Sequence, residues 1–211
     1  MNNYFAMMSR MKYIDRWALM RNTRAENLSE HSLEVSMIAH ALAVIGNTYL
    51  GKELNTDRAA VLGMYHDATE IITGDMPTPI KYYNPEIRHT YKEIEQKAGQ
   101  TLLSMLPEEM RVSYEGIFTN QEEDAYLWKL VKAAEKLSAY IKCIEEEGCG
   151  NREFVRARET TLEQLHRLKV REAELFFNYF IDAYGKNLDE LTGEEQCVKT
   201  EILLFARAAE P

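Results

Sequence analysis

The chain is 211 residues long, 45% apolar and 28% charged, which suits one globular domain with a substantial core and excludes long disorder and low complexity. A formal net charge of −9 excludes a general binder of nucleic-acid polymers, because such proteins need an excess of Lys and Arg to displace the counterions around phosphates. Small anionic ligands stay open.

The N-terminal stretch "MNNYFAMMSRMKYIDRW" lacks the continuous apolar core of a signal peptide. No apolar run reaches the ~20 residues that span a bilayer, so neither secretion nor membrane insertion is expected. Between residues 10 and 24, Arg10, Lys12, Arg16, Arg21 and Arg24 are opposed only by Asp15. Such a local positive stretch suits a phosphate pocket as well as a solvated helix face.

The first long helix is predicted to open at Ser29, a suitable N-cap. It carries His31, Val35, Ile38, Leu42 and Ile45 at i, i+4, i+7, i+11 and i+14, one face of a helix. A second helix should start near Asn55-Thr56-Asp57 and run through "RAAVLGMYHDATEII" to a stop before Gly74, with Pro77 and Pro79 in the connector. Two short helices are expected around 85–105 and 107–117. "EEDAYLWKLVKAAEKLSAYIKCIEEE" reads as a long helix with Leu127, Leu130, Val131, Ala134, Leu137, Ser138, Ile141 and Ile144 gathered to one side, stopped by Gly148 and Gly150. Helical spacing returns over 152–183, and no alternating run rich in Val, Ile or Thr would build a sheet. The fold expected is all-α, with six or more helices and a tail from about 187 whose pattern is weaker. Cys143, Cys149 and Cys197 form neither a C-x-x-C nor an even set, which points to a reduced compartment and so to the cytoplasm.

Chemistry concentrates in "GMYHDATEIITGDMPTPIKY", residues 63–82, where His66, Asp67, Glu70 and Asp75 stand among apolar residues. On a continuous helix Glu70 falls roughly 40° from His66 and about 60° from Asp67, so the three share one sector. Ionised groups beside a core need a partner, and a metal ion is one. His31 is the best further nitrogen ligand, because it opens a helix whose apolar face it shares. His40 lies half a turn away and cannot face the same site; it reads, with His89 and His166, as structural or superficial.

"SEHS", followed about 35 residues later by "YHDATEIITGDMPTPIKY" and then by an acid on a later helix, resembles the HD-domain phosphohydrolases. The likeness is closer to their bacterial 5′-deoxynucleotidase branch, the YfbR type, because "RWALMRNTRAENLSEHS" fits as well. It runs from about residue 8 to 185, which assigns residues 1–185 to an HD-domain helical bundle and leaves 186–211 as a C-terminal tail. The resemblance implies hydrolysis of deoxyribonucleoside 5′-monophosphates, a homodimer, and one divalent ion (Co, Mn, Zn or Fe) held by an H…HD…D set. Carried over by position, the ligands are His31, His66 and Asp67. The last acid falls in "KAAEKLSAYIK" on Glu135, where the family has Asp, so its carboxylate stands one methylene further out. Glu70 and Asp75 become the proton-handling pair. Arg16 becomes the phosphate grip and Trp17 the wall that excludes a 2′-hydroxyl, with His31 and Asp75 also lining the substrate site. Two rival readings share the motif. One is an HD hydrolase of another phosphate ester, which would differ at Arg16 and Trp17. The other is a non-catalytic nucleotide-sensing or dimerisation module, with Glu135 as the symptom of a decayed site.

Overall fold

The computed structural model describes residues 2–81, 83–119 and 121–192, and among them every extended regular element is a helix. In chain order these are α1 (Tyr4–Met8), α2 (Leu28–Tyr49), α3 (Thr56–Tyr65), α4 (Glu70–Thr73), α5 (Thr78–Lys81), α6 (Pro85–Ser104), α7 (Glu108–Phe118), α8 (Ala125–Gly148), α9 (Val155–Arg167), α10 (Arg171–Phe180) and α11 (Leu188–Thr192). Short 3₁₀ turns join several of them. Of the expected C-terminal tail, α11 is described and 193–211 lies outside the described residues.

The long helices α2 and α8 pack against one another, with α3 and α10 against both and α9 along α8. The predicted face of α2 is the buried one: Val35, Ile38, Leu42 and Ile45 meet Leu130, Val131, Leu137 and Ile141 of α8 in a single apolar cluster. A smaller cluster, Tyr4, Leu102 and Leu106, joins α1 to α6 and α7. The site lies where α2, α3 and α8 converge.

Two predicted boundaries shift for physical reasons. Asn27, not Ser29, caps α2. Its side-chain oxygen accepts from the backbone N–H of Ser29 at 3.0 Å and of Glu30 at 3.1 Å, and Glu30 reaches back to the Asn27 N–H. This reciprocal box satisfies more orphan donors than a serine could one residue inside the helix. The second helix is not continuous to Gly74. It stops at Tyr65, and bonds from Ala68 to Tyr65, Glu70 to Asp67 and Ile72 to Thr69 carry the chain in tight three-residue steps into α4. The cause is His66, whose ring Nδ1 takes the Gly63 carbonyl at 2.8 Å, the acceptor that a regular helix gives to the Asp67 N–H.

Candidate active site

His31 sits in the first turn of α2 and is fully buried. Its Nδ1 lies 3.1 Å from Ser138 Oγ on α8, and Ser138 donates its hydroxyl proton to Glu34 at 2.6 Å. With that proton committed, Ser138 can only accept from His31, so Nδ1 carries the hydrogen and Nε2 a free lone pair. His66 is fixed in the same way: a carbonyl accepts only, so Nδ1 is again the donor and Nε2 the lone-pair atom. Both Nε2 atoms are buried without a hydrogen-bond partner among the described residues.

The two lone pairs converge. The rings of His31 and His66 stand 5.2 Å apart, and Asp67 Oδ2 lies 2.9 Å from His66 Nε2 and 3.7 Å from His31 Nε2. One ligand atom from each of the three residues falls within 4.8 Å of the other two. A pair of orphaned imidazole nitrogens around a carboxylate is costly unless an ion joins them, and the donor set is that of a divalent metal. The residues fit the group.

Arg16 flanks this trio. One guanidinium nitrogen lies 3.6 Å from Asp67 Oδ2, and Nε lies 3.5 Å from Glu26 Oε2, too long for a hydrogen bond. Nε is buried and without a hydrogen-bond partner among the described residues, which leaves it disposed toward an anion. Trp17 follows with φ of +57°, the left-handed region that a bulky side chain rarely takes. Its indole lies against Phe154, centroids 5.3 Å apart, and its N–H donates to Glu26 at 2.8 Å.

Glu70, at the start of α4, is 4% exposed. Burial, and then the nearby charges of Asp67 and Asp75, push its pKa up to about 9. The three-residue step brings Glu70 over Asp67, because i and i+3 eclipse in a 3₁₀ turn, closer in direction than the roughly 60° of the regular helix expected from sequence. Asp75 follows Gly74, whose φ of +74° turns the chain back. Its pKa is raised by burial, against the pull of Arg16.

Glu135 stands beside the trio without joining it. It lies on α8 one turn before Ser138, near enough to Asp67 and His66 to feel their charges, and its carboxylate pairs with Lys132 at 2.6 Å and Lys136 at 3.1 Å. Those two cations hold it low, at about 2, against its burial. Asp124, the acid just before the start of α8, is engaged by Arg58 at 2.5 Å. His40 and His166 are exposed, and so is His89. Sequence reasoning missed Glu26, Ser138, Glu34 and Lys81. Lys81 lies 3.9 Å from Glu70 and 3.2 Å from Glu95. Ser138 was visible on the inward face of its helix, while Glu26 carried no periodic signal because it lies in a loop.

A family model described as 5′-deoxynucleotidase YfbR-like matches residues 3–184. The chain is 48% identical over 195 residues to a 5′-deoxynucleotidase of Pectobacterium atrosepticum, covering 90% of this chain and 96% of that one. It is 45% identical over 193 residues to a 5′-deoxynucleotidase of Erwinia tasmaniensis, covering 92% and 98%. In fold it is similar to an HD-domain phosphohydrolase from Listeria innocua, with a TM-score of 0.75 at 19% identity over 99% and 98% of the two chains. It is also similar in fold to the cyanophage S-2L HD phosphohydrolase DatZ, solved with dA and one catalytic Zn²⁺, with a TM-score of 0.60 at 19% identity over 84% and 96%.

Proposed function

This chain belongs to the 5′-deoxynucleotidase YfbR-like family of HD-domain phosphohydrolases, and from that premise we propose how its own residues divide the work. The enzyme hydrolyses deoxyribonucleoside 5′-monophosphates to the deoxyribonucleoside and phosphate. The observation that carries the mechanism is the pair of buried Nε2 lone pairs, both set by the partner on the opposite ring nitrogen and both turned to Asp67.

His31, His66 and Asp67 would hold one divalent ion, zinc, manganese, cobalt or iron, with Glu135 as the fourth protein ligand after release from its lysines. The ion supplies Lewis acidity toward a phosphate oxygen and toward water. Arg16, screened but not bonded by Glu26 and Asp67, takes a phosphate oxygen through its free N–H groups. Trp17 stands beside the sugar, where an indole leaves no room for a 2′-hydroxyl. Glu70 keeps its proton at neutral pH and delivers it to the departing 5′-oxygen; Asp75, next to Arg16, orients the substrate and shares the proton with Glu70.

We also infer a homodimer in the cytoplasm. Support for the first is an apolar stripe left exposed on α2, Leu33, Met37 and Val44, and for the second the free thiols of Cys143 and Cys149.

The test combines metal analysis of the purified protein with a phosphate-release screen over deoxyribo- and ribonucleoside 5′-monophosphates. Near-stoichiometric metal and turnover confined to the deoxy series are expected, with both lost in His31→Ala and His66→Ala. Absence of bound metal together with absence of turnover under every added divalent ion would overturn the reading.

A further inference from the structure

Glu26 lies in the loop before α2, and its backbone is paired to the segment that carries Arg16 and Trp17. The bridge between Asp15 and Asn27 is antiparallel, the Arg16 N–H donates to the Glu26 carbonyl at 2.9 Å, and the Leu28 N–H donates to the Ile14 carbonyl at 2.9 Å. Residues opposite one another in such a pair project to the same side, so Arg16 and Glu26 are held together by register.

The Glu26 carboxylate is only 13% exposed, and a carboxylate so placed needs partners. Those it has all belong to the site. Oε2 accepts the Trp17 indole N–H at 2.8 Å and faces Arg16 Nε at 3.5 Å; Oε1 faces His31 Nδ1 at 3.6 Å. His31 has a nearer acceptor in Ser138, and Arg16 has Asp67 on its other side. The Trp17 indole has one hydrogen-bonding group, a donor, and Glu26 takes it. Trp17 is also the residue with the costly backbone, φ +57°, a conformation that persists only where its surroundings over-determine it. Phe154 fixes one face of the ring, and the bond to Glu26 fixes its rotation.

We propose that Glu26 is the positioning residue that sets the Trp17 indole against the sugar, and so determines the discrimination between deoxyribo- and ribonucleotides. This rests on the reading of Trp17 as the sugar wall. Metal retention does not depend on Glu26, because Ser138 keeps the His31 tautomer.

The test uses Glu26→Met, which keeps volume and deletes the acceptor, Glu26→Ala as a second deletion should Met fail to fold, and Glu26→Gln, whose amide oxygen still accepts the indole N–H. Trp17→Ala and the double variant complete a cycle. Phosphate release from deoxyadenosine and adenosine 5′-monophosphate gives kcat and KM for each, and metal content is measured alongside. In the Trp128→Phe background, acrylamide quenching reads Trp17 alone.

Deletion of the acceptor is expected to lower the deoxy-to-ribo ratio of kcat/KM by about tenfold, the scale of one lost hydrogen bond. The change should come through the ribonucleotide, with metal content unchanged and quenching increased. Glu26→Gln restores ratio and quenching, and the double variant matches Trp17→Ala. A folded deletion with the parental ratio and quenching overturns the proposal, as does a Glu26→Gln as impaired as Glu26→Met, or additivity in the cycle. An unchanged ratio in Trp17→Ala would instead retire the sugar-wall reading. Quenching would still decide whether Glu26 holds the ring.

Discussion

A carboxyl whose pKa is raised to about 9 by burial behaves as an acid through neutral pH. With Glu70 as the proposed donor to the leaving oxygen, kcat should fall with rising pH as Glu70 ionises, and because a bound divalent cation favours the carboxylate that fall should come below the metal-free value. Glu70→Gln should retain metal and lose about 10²- to 10⁴-fold in kcat, the usual worth of a positioned acid. The same shift acts on stability with a defined sign. The folded state keeps the proton between the ordinary 4.5 and about 9, so the contribution of Glu70 is fully present below 4.5 and is lost as pH rises through that window. Glu70→Gln should therefore gain stability over the parent at pH 9 and not at pH 4, which thermal melts at the two pH values check. Glu135 is the second test at this scale. As a ligand its removal in Glu135→Ala should weaken metal binding by about ten- to a hundredfold or more, while Glu135→Asp preserves it; a silent Glu135→Ala in titrations would limit the protein ligands to the trio. His31, His66, Asp67 and Glu70 were legible because an imidazole or acid on an apolar face is anomalous in sequence. Glu26 was not, since its partners meet it through a loop pairing that no helical period encodes.

The two helices that carry the histidines meet through Gly63. A Cβ there would lie 2.8 Å from Ser36 Cα, 3.1 Å from Ser36 N and 3.2 Å from the Val35 carbonyl oxygen. These are backbone atoms of α2 that cannot swing aside. Ser36 also donates to the Ala60 carbonyl at 2.8 Å across the same contact. In an open helix Gly→Ala gains about 0.5–1 kcal/mol; here the clash reverses the sign, with overpacking costing about 1–3 kcal/mol. Gly63→Ala should lower Tm by about 2–4 °C for each kcal/mol lost in a chain of this size. It should also weaken metal binding, because α3 must retreat from α2 and take His66 from His31. A raised Tm with unchanged affinity would show that the helices do not depend on this approach. At this scale the sequence was a good guide to the long helices, whose buried faces follow the 3.6-residue period. It failed at the break after Tyr65, where a side chain captures a backbone acceptor and the period carries no sign of it.

Across the whole molecule, α2 is packed by α3, α8 and α10 and still leaves Leu33, Met37 and Val44 exposed at 57%, 59% and 40%. On a helix these positions lie within about 40° of one another, so they form one stripe and not three unrelated surface residues. Single exposed apolar side chains need no explanation, whereas an aligned set on a central helix calls for a cover. A second copy of the chain is the cover implied by the proposed dimer, and a twofold arrangement would set the same stripe against itself. Met37→Glu places a carboxylate at its middle, where closing the interface would bury two like charges. The parent should elute and scatter light as a dimer, and Met37→Glu as a monomer with its helical content intact. Since the trio and Arg16 come from a single chain, the monomer should keep its metal and much of its kcat. A variant that remains dimeric at micromolar concentration would move the interface away from α2.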